Sequence, residues 1–141
     1  MRRLAIRSII VGGLVDVFAS NFFGTISQVV VLLILSIRHT SLEDAPAATR
    51  AIVAGSALFF AAQLVIGALC SVLGGYIAAR LARHDERLNG AFSSVLSVVS
   101  GIVVIAIGHN PEHFIQHVLI LPLKPIFGYA GGYLRERQVR S

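Results

Sequence analysis

A single cysteine, Cys70, stands in the chain, inside an apolar run, so neither an intrachain disulfide nor a cysteine metal cluster can form. Charge is scarce as well: 13% of residues are Asp, Glu, Lys or Arg against 55% apolar, and mean hydropathy is +0.79. A soluble domain could not cover itself with so few polar groups, which leaves an integral membrane protein as the class. No nucleophile elbow, phosphate loop, zinc-protease pattern or dinucleotide fingerprint occurs. The one acid within an apolar stretch, Asp16, has no second carboxylate beside it for paired acid–base work. An enzyme is therefore the least favoured class, and nothing in the chain requires a cofactor. No linker is long enough to separate domains, so residues 1–141 read as one membrane domain.

What is present is four apolar stretches. They run over 9–37, interrupted by Asp16, 51–79, 88–108 and 114–133, interrupted by Lys124. Each reaches the roughly 20 residues that cross about 30 Å of hydrocarbon at about 1.5 Å per residue. The expectation is an all-α membrane protein with four transmembrane helices at 8–37, 52–79, 88–108 and 113–134. The first two are longer than a bilayer needs, so they tilt or protrude. The start "MRRLAIRSIIVGG" has the basic and apolar regions of a signal peptide. Its apolar run is too long, however, and Asp16, Asn21 and Gln28 stand where a cleavage site needs small residues, so it reads as a retained helix.

The net charge of +5 reports orientation rather than nucleic acid. Arg2, Arg3 and Arg7 precede the first span; Arg80, Arg83 and Arg87 lie between the second and third; Arg135, Arg137 and Arg140 follow the fourth. The other connections carry Arg38 and Arg50, offset by Glu43 and Asp44, and no Lys or Arg between Gly108 and His113. The positive-inside rule then places both termini in the cytoplasm, with anionic lipid as a neighbour of the basic ends. "SLEDAP" predicts a helix N-cap at Ser41 and a short surface helix, and in "GHNPEHF" Asn110 can cap with Pro111 at the first helical position. Such short connections make consecutive helices antiparallel neighbours in an up-down bundle.

A Gly-Gly-Tyr-aliphatic-x-x-Arg phrase occurs twice, "GGYIAAR" at 74–80 and "GGYLRER" at 131–137. Both copies close even-numbered spans, as two parallel helical hairpins would. Tyr76 and Tyr133 then mark the cytoplasmic interface, with Arg80 and Arg137 snorkelling one turn on. Small and polar residues recur about every four positions: Gly12, Asp16, Ser20, Gly24 and Gln28; Gln63, Gly67, Ser71, Gly75 and Ala79; Gly90, Ser94, Ser97 and Gly101; Gly128 and Gly132. Lipid gives helices no hydrophobic reason to associate, so these stripes, with Gly74 and Gly131, are expected packing seams.

Asp16 sits about 14 Å along the helix from Arg7, and a lone acid at such depth costs about 3 kcal/mol. Lys124 lies roughly 16 Å before Arg135 on the same scale, at similar depth. An intramembrane Asp16–Lys124 pair is therefore expected, between first and fourth helices taken as neighbours. Pro122 and Pro125 bracket the lysine and predict a kink in the fourth helix. A buried pair that fixes helix register is preferred to a broken helix lining a transport cavity. His113 and His117 have the i, i+4 spacing of metal ligands, with His109 outside that register. Two imidazoles without a fixed third ligand make a weak site, and interfacial surface residues are the preferred reading.

The "VD" at 15–16, "SVLGGYIAARLAR" at 71–83, "LNGAFSSVLSVVSG" at 88–101 and the proline before "GGYL" resemble an uncharacterised family of small four-helix bacterial membrane proteins. The resemblance covers most of the chain. It implies the four-helix fold and a multi-pass location in the bacterial cytoplasmic membrane, and it carries no activity, ligand or catalytic residue to transfer. Lys124 and the histidines are departures from that pattern. The favoured function is a noncatalytic packing or assembly module, with another membrane protein or a second copy of the chain as partner. The alternative is a small proton- or cation-coupled transporter or channel subunit using Asp16, and a holin-like pore former is a third reading.

Overall fold

A computed structural model describes residues 4–38, 41, 43–108 and 121–141, and every regular element among them is helical. The first apolar run forms one helix, α1, over Ile6–Ile37. It contains no proline, and three of its polar side chains bond to their own helix: the Asn21 amide and the Thr25 and Ser27 hydroxyls donate to carbonyl oxygens four residues back at 2.8, 2.9 and 2.9 Å. Polar groups satisfied this way do not compete for the helical backbone and can face an apolar medium.

The expected second span is not continuous. It divides into α2, Ala45–Gly55, and α3, Ala57–Ala82, at Ser56, whose backbone is extended at φ −103° and ψ 103°. The Ser56 hydroxyl accepts the Phe59 N–H at 3.2 Å, a side-chain N-cap within an otherwise apolar stretch. Ser41 acts before α2, donating to the Asp44 carboxylate at 2.6 Å and accepting the Asp44 N–H at 3.2 Å, but the helix starts later than the cap motif predicted.

A tight reversal at 83–85 joins α3 to α4, Glu86–Gly108, and it uses left-handed backbone at Arg83 (φ 57°) and Asp85 (φ 43°). These are positions that favour glycine, and Arg83 acts there as the C-cap, its N–H bonding Ala79 O at 3.1 Å. Of the expected fourth span, the described part is a 3₁₀ turn at Leu121–Leu123 followed by α5, Lys124–Arg140. Lys124 begins the helix and Pro125 lies in its first turn, where a missing N–H costs no hydrogen bond. Among the described residues the two prolines accompany the start of α5, and the stretch before them, on which the expected kink depends, is not among those residues. Residues 113–120 lie outside the described residues.

Helix α1 packs against α3 and α4, α5 packs against the same two, and α3 and α4 also touch each other. The bundle is thus a rhombus with α1 and α5 at its far corners. This corrects the expectation that the first and last helices are neighbours. Burial concentrates at the end that holds the α3–α4 reversal: Ser8 to Asp16 on α1, Cys70 to Ala82 on α3, Asn89 to Ser97 on α4 and Gly128 to Gly132 on α5. Helices α1 and α3 are long and apolar enough to cross a membrane.

Close backbone approach makes this end possible. A Cβ on Gly12 would stand 2.5 Å from the Gly74 carbonyl oxygen, and one on Gly74 would stand 2.6 Å from that of Gly12. Gly128 is enclosed by the Gly75 and Gly90 backbones and the small Ser94 side chain, so three helices meet there in close contact. Gly131 faces Val72 and Tyr76 of α3, Gly132 faces Glu86 and Arg87 of α4, and Gly101 meets the Leu121 side chain. The two Gly-Gly phrases are not used alike. Gly74 closes on its preceding long helix, α1, whereas Gly131 closes on α3. Gly24 and Gly67, expected in the seams, have no atom of the described residues within 4 Å of where a Cβ would lie.

Candidate functional site

Asp16 is fully buried, with 0% of its side chain exposed. It is sealed because Gly12, one turn earlier, lets α3 approach, while Gly13 lets α4 approach to within reach of Ser93 and Leu96. Each carboxylate oxygen is then answered. Ser20 of α1 donates to Oδ1 at 3.2 Å, and Ser71 of α3 donates to Oδ2 at 3.0 Å. Lys124 Nζ stands 3.4 Å from Oδ1 and donates to Ser97 Oγ of α4 at 2.5 Å.

This network joins all four long helices through side chains. The lysine reaches across the rhombus to a helix on which its own helix does not pack. Lys124 begins α5, where the helix dipole disfavours a cation, so Asp16 and Ser97 rather than the helix hold its charge. Its side chain is 13% exposed, so the pair is largely desolvated and its attraction is stronger than that of a surface pair. Two neighbours complete the polar core. Cys70 is buried and free, and the fully buried Ser94 hydroxyl beside Gly128 has no hydrogen-bond partner among the described residues.

Ser71 was expected as a packing residue, and the structure makes it a hydrogen-bond donor to the carboxylate. Ser20 and Ser97 lay in the small-residue stripes without an assigned role. The signal was available: Asp16 and Ser20 lie one turn apart on one face, and serine is the small residue that also carries a proton donor.

A second polar cluster, unforeseen in the sequence, fixes the end with the reversal. Asn89 of α4 is fully buried; its Oδ1 accepts the Ala5 N–H at 2.8 Å, and its Nδ2 donates to His84 O at 2.9 Å and Asp85 O at 3.2 Å. One amide thus ties the start of α1 to the left-handed turn. Asn89→Leu is expected to destabilise the protein by about 1–3 kcal/mol, because it strands the Ala5 N–H and frees the turn. Amide hydrogen exchange should show faster exchange at Ala5 with little change within α3.

On the outer side of α4, Arg87 pairs with Glu136, donates to Tyr129 Oη at 3.2 Å and lies 4.8 Å over the Tyr133 ring. The Tyr129 bond first, then Glu136, raises the guanidinium pKa above its ordinary value, so Arg87 stays charged at any physiological pH. Arg140 reaches the same Glu136 at 2.5 Å, and Tyr76 donates to Gln138 at 2.7 Å. Of the expected anchors, Tyr76 and Tyr133 are engaged by α5 and α4 side chains, and Arg80 and Arg137 are exposed. His113 and His117 lie outside the described residues. Among the described residues no group of three His, Cys, Asp or Glu side chains could hold a metal ion.

No protein-family model, curated protein or solved structure matches the chain.

Proposed function

We propose that the chain is a noncatalytic integral membrane module. In this reading it is a four-span bundle with both termini in the cytoplasm, closed internally by the Asp16–Lys124 network and offering its apolar exterior to lipid and to a membrane-embedded partner or second copy. The observation that carries the proposal is how the interior is used. The glycines at the packed end are consumed by contacts between its own helices, and both Asp16 oxygens are occupied by protein donors. The exterior supports it too, with Phe18, Leu58, Leu69 and Ile107 each at least 63% exposed. They belong to a long series of outward apolar side chains on α1, α3 and α4, and a surface that apolar suits lipid or another protein. The arginine distribution supplies the orientation, and α1 and α3 supply two spans by length and composition.

The second reading, a proton- or cation-coupled subunit using Asp16, draws on the remaining exposure of Lys124. Asp16→Asn separates the two. For an assembly module, the variant weakens assembly in detergent, and reconstituted vesicles show no proton or cation flux in either protein. A wild-type flux that disappears in Asp16→Asn, with assembly intact, would overturn the proposal in favour of transport.

A further inference from the structure

We infer that the cleft between the α3–α4 reversal and the end of α5 binds the phosphate of an anionic membrane lipid, with Arg80, Arg83 and Arg135 as its ligands. The inference rests on the cytoplasmic placement of that end under the membrane reading above. The cleft has a volume of about 580 Å³ and is lined by Arg80, Leu81, Arg83, Glu86, Arg135 and Val139. Three arginines from three segments, the last turn of α3, the reversal and α5, face one concavity with a single carboxylate.

Among the described residues none of these three arginines forms an ion pair or side-chain hydrogen bond, whereas Arg87 and Arg140 share Glu136. Like charges gathered in a concave site raise each other's energy until an anion arrives, and guanidinium forks match the oxygen geometry of phosphate. Arg83 contributes from a left-handed backbone position held by the Ala79 carbonyl and the Asn89 clamp, so its starting point is fixed.

Two features choose lipid over soluble phosphate. Leu81 and Val139, 52% and 59% exposed, flank the arginines with apolar surface that a free ion would not use and that a lipid's glycerol and acyl carbons would cover. Glu86 opposes a second negative charge and can accept a hydrogen bond from a headgroup hydroxyl. Together they favour a singly charged phosphodiester with a hydroxylated headgroup over a phosphate dianion.

The test is native mass spectrometry of the intact protein in mild detergent, with phosphatidylglycerol and phosphatidylcholine offered separately. One phosphatidylglycerol should stay bound while phosphatidylcholine is lost. Arg83→Gln combined with Arg135→Gln should reduce retention at least tenfold, and Arg7→Gln, outside the cleft, should leave it unchanged. Equal retention of the two lipids, unaltered binding by the double variant, or displacement by millimolar inorganic phosphate would each overturn the lipid assignment. Carbonate washing of membranes separates the premises. Protein that stays in the pellet yet binds no phosphatidylglycerol refutes the lipid site alone, whereas release into the wash refutes the membrane reading and this inference with it.

Discussion

Lys124→Met is expected to destabilise the protein by about 3–5 kcal/mol, the range for a buried ion pair that loses one partner. The variant strands Asp16, fully buried, with two serine hydroxyls and no countercharge. Asp16→Asn alone should cost a similar amount, because it leaves an ammonium at the start of α5 with the Ser97 hydroxyl as its remaining uncharged acceptor among the described residues. The double variant Asp16→Asn/Lys124→Met should recover most of the loss, since the uncompensated charge is gone and the space is refilled by groups of similar size. The chain has no tryptophan, so helix loss is best followed by circular dichroism during titration of the detergent-solubilised protein with sodium dodecyl sulfate. Strictly additive single-variant effects would show that the two residues do not interact. A purely steric role for Lys124 would leave Lys124→Met near wild type.

Gly128→Val should have the second largest effect, a loss of about 3 kcal/mol, at the upper end for overpacking. Its Cβ would enter the space of the Gly90 carbonyl and the Ser94 hydroxyl, and the neighbouring Gly75 backbone leaves α5 no direction in which to retreat. Backbone cannot rotate away as a flexible side chain can, so the helices must separate, and separation also lengthens the Lys124–Asp16 contact. Gly24→Ala is the matched control. Among the described residues nothing lies within 4 Å of a Cβ at that position, so it should change stability by no more than about 1 kcal/mol, with helix propensity favouring alanine. Equal effects at the two sites in the same titration would refute the packing account.

The sequence carried the helical character and the arrangement of the polar core further than it carried the helix boundaries. Asp16 and Lys124 stood out because a charge in an apolar run needs a partner, and counting rise per residue from the basic ends matched their depths. The break at Ser56 was hidden because the residues around it are apolar on both sides, and hydropathy averages over a single capping hydroxyl. The Arg87–Glu136 and Asn89 clusters were hidden for a different reason. Their partners are 49 and 84 residues away, in positions where polar residues looked like ordinary interface or loop composition.

By itself the sequence determined that the chain is apolar and helical, that its basic residues gather at one end, and that a lone acid in an apolar run needs a partner. Those properties are local, set by side-chain chemistry and by the fixed rise of a helix. Tertiary structure decided which glycines are packing sites, since Gly12, Gly74 and Gly128 meet backbone while Gly24 and Gly67 meet no atom of the described residues at the same sequence periodicity. It also decided that Lys124 reaches Asp16 across a rhombus rather than from an adjacent helix. Periodicity specifies a face, but the facing helix and its distance depend on how all the helices share one interior.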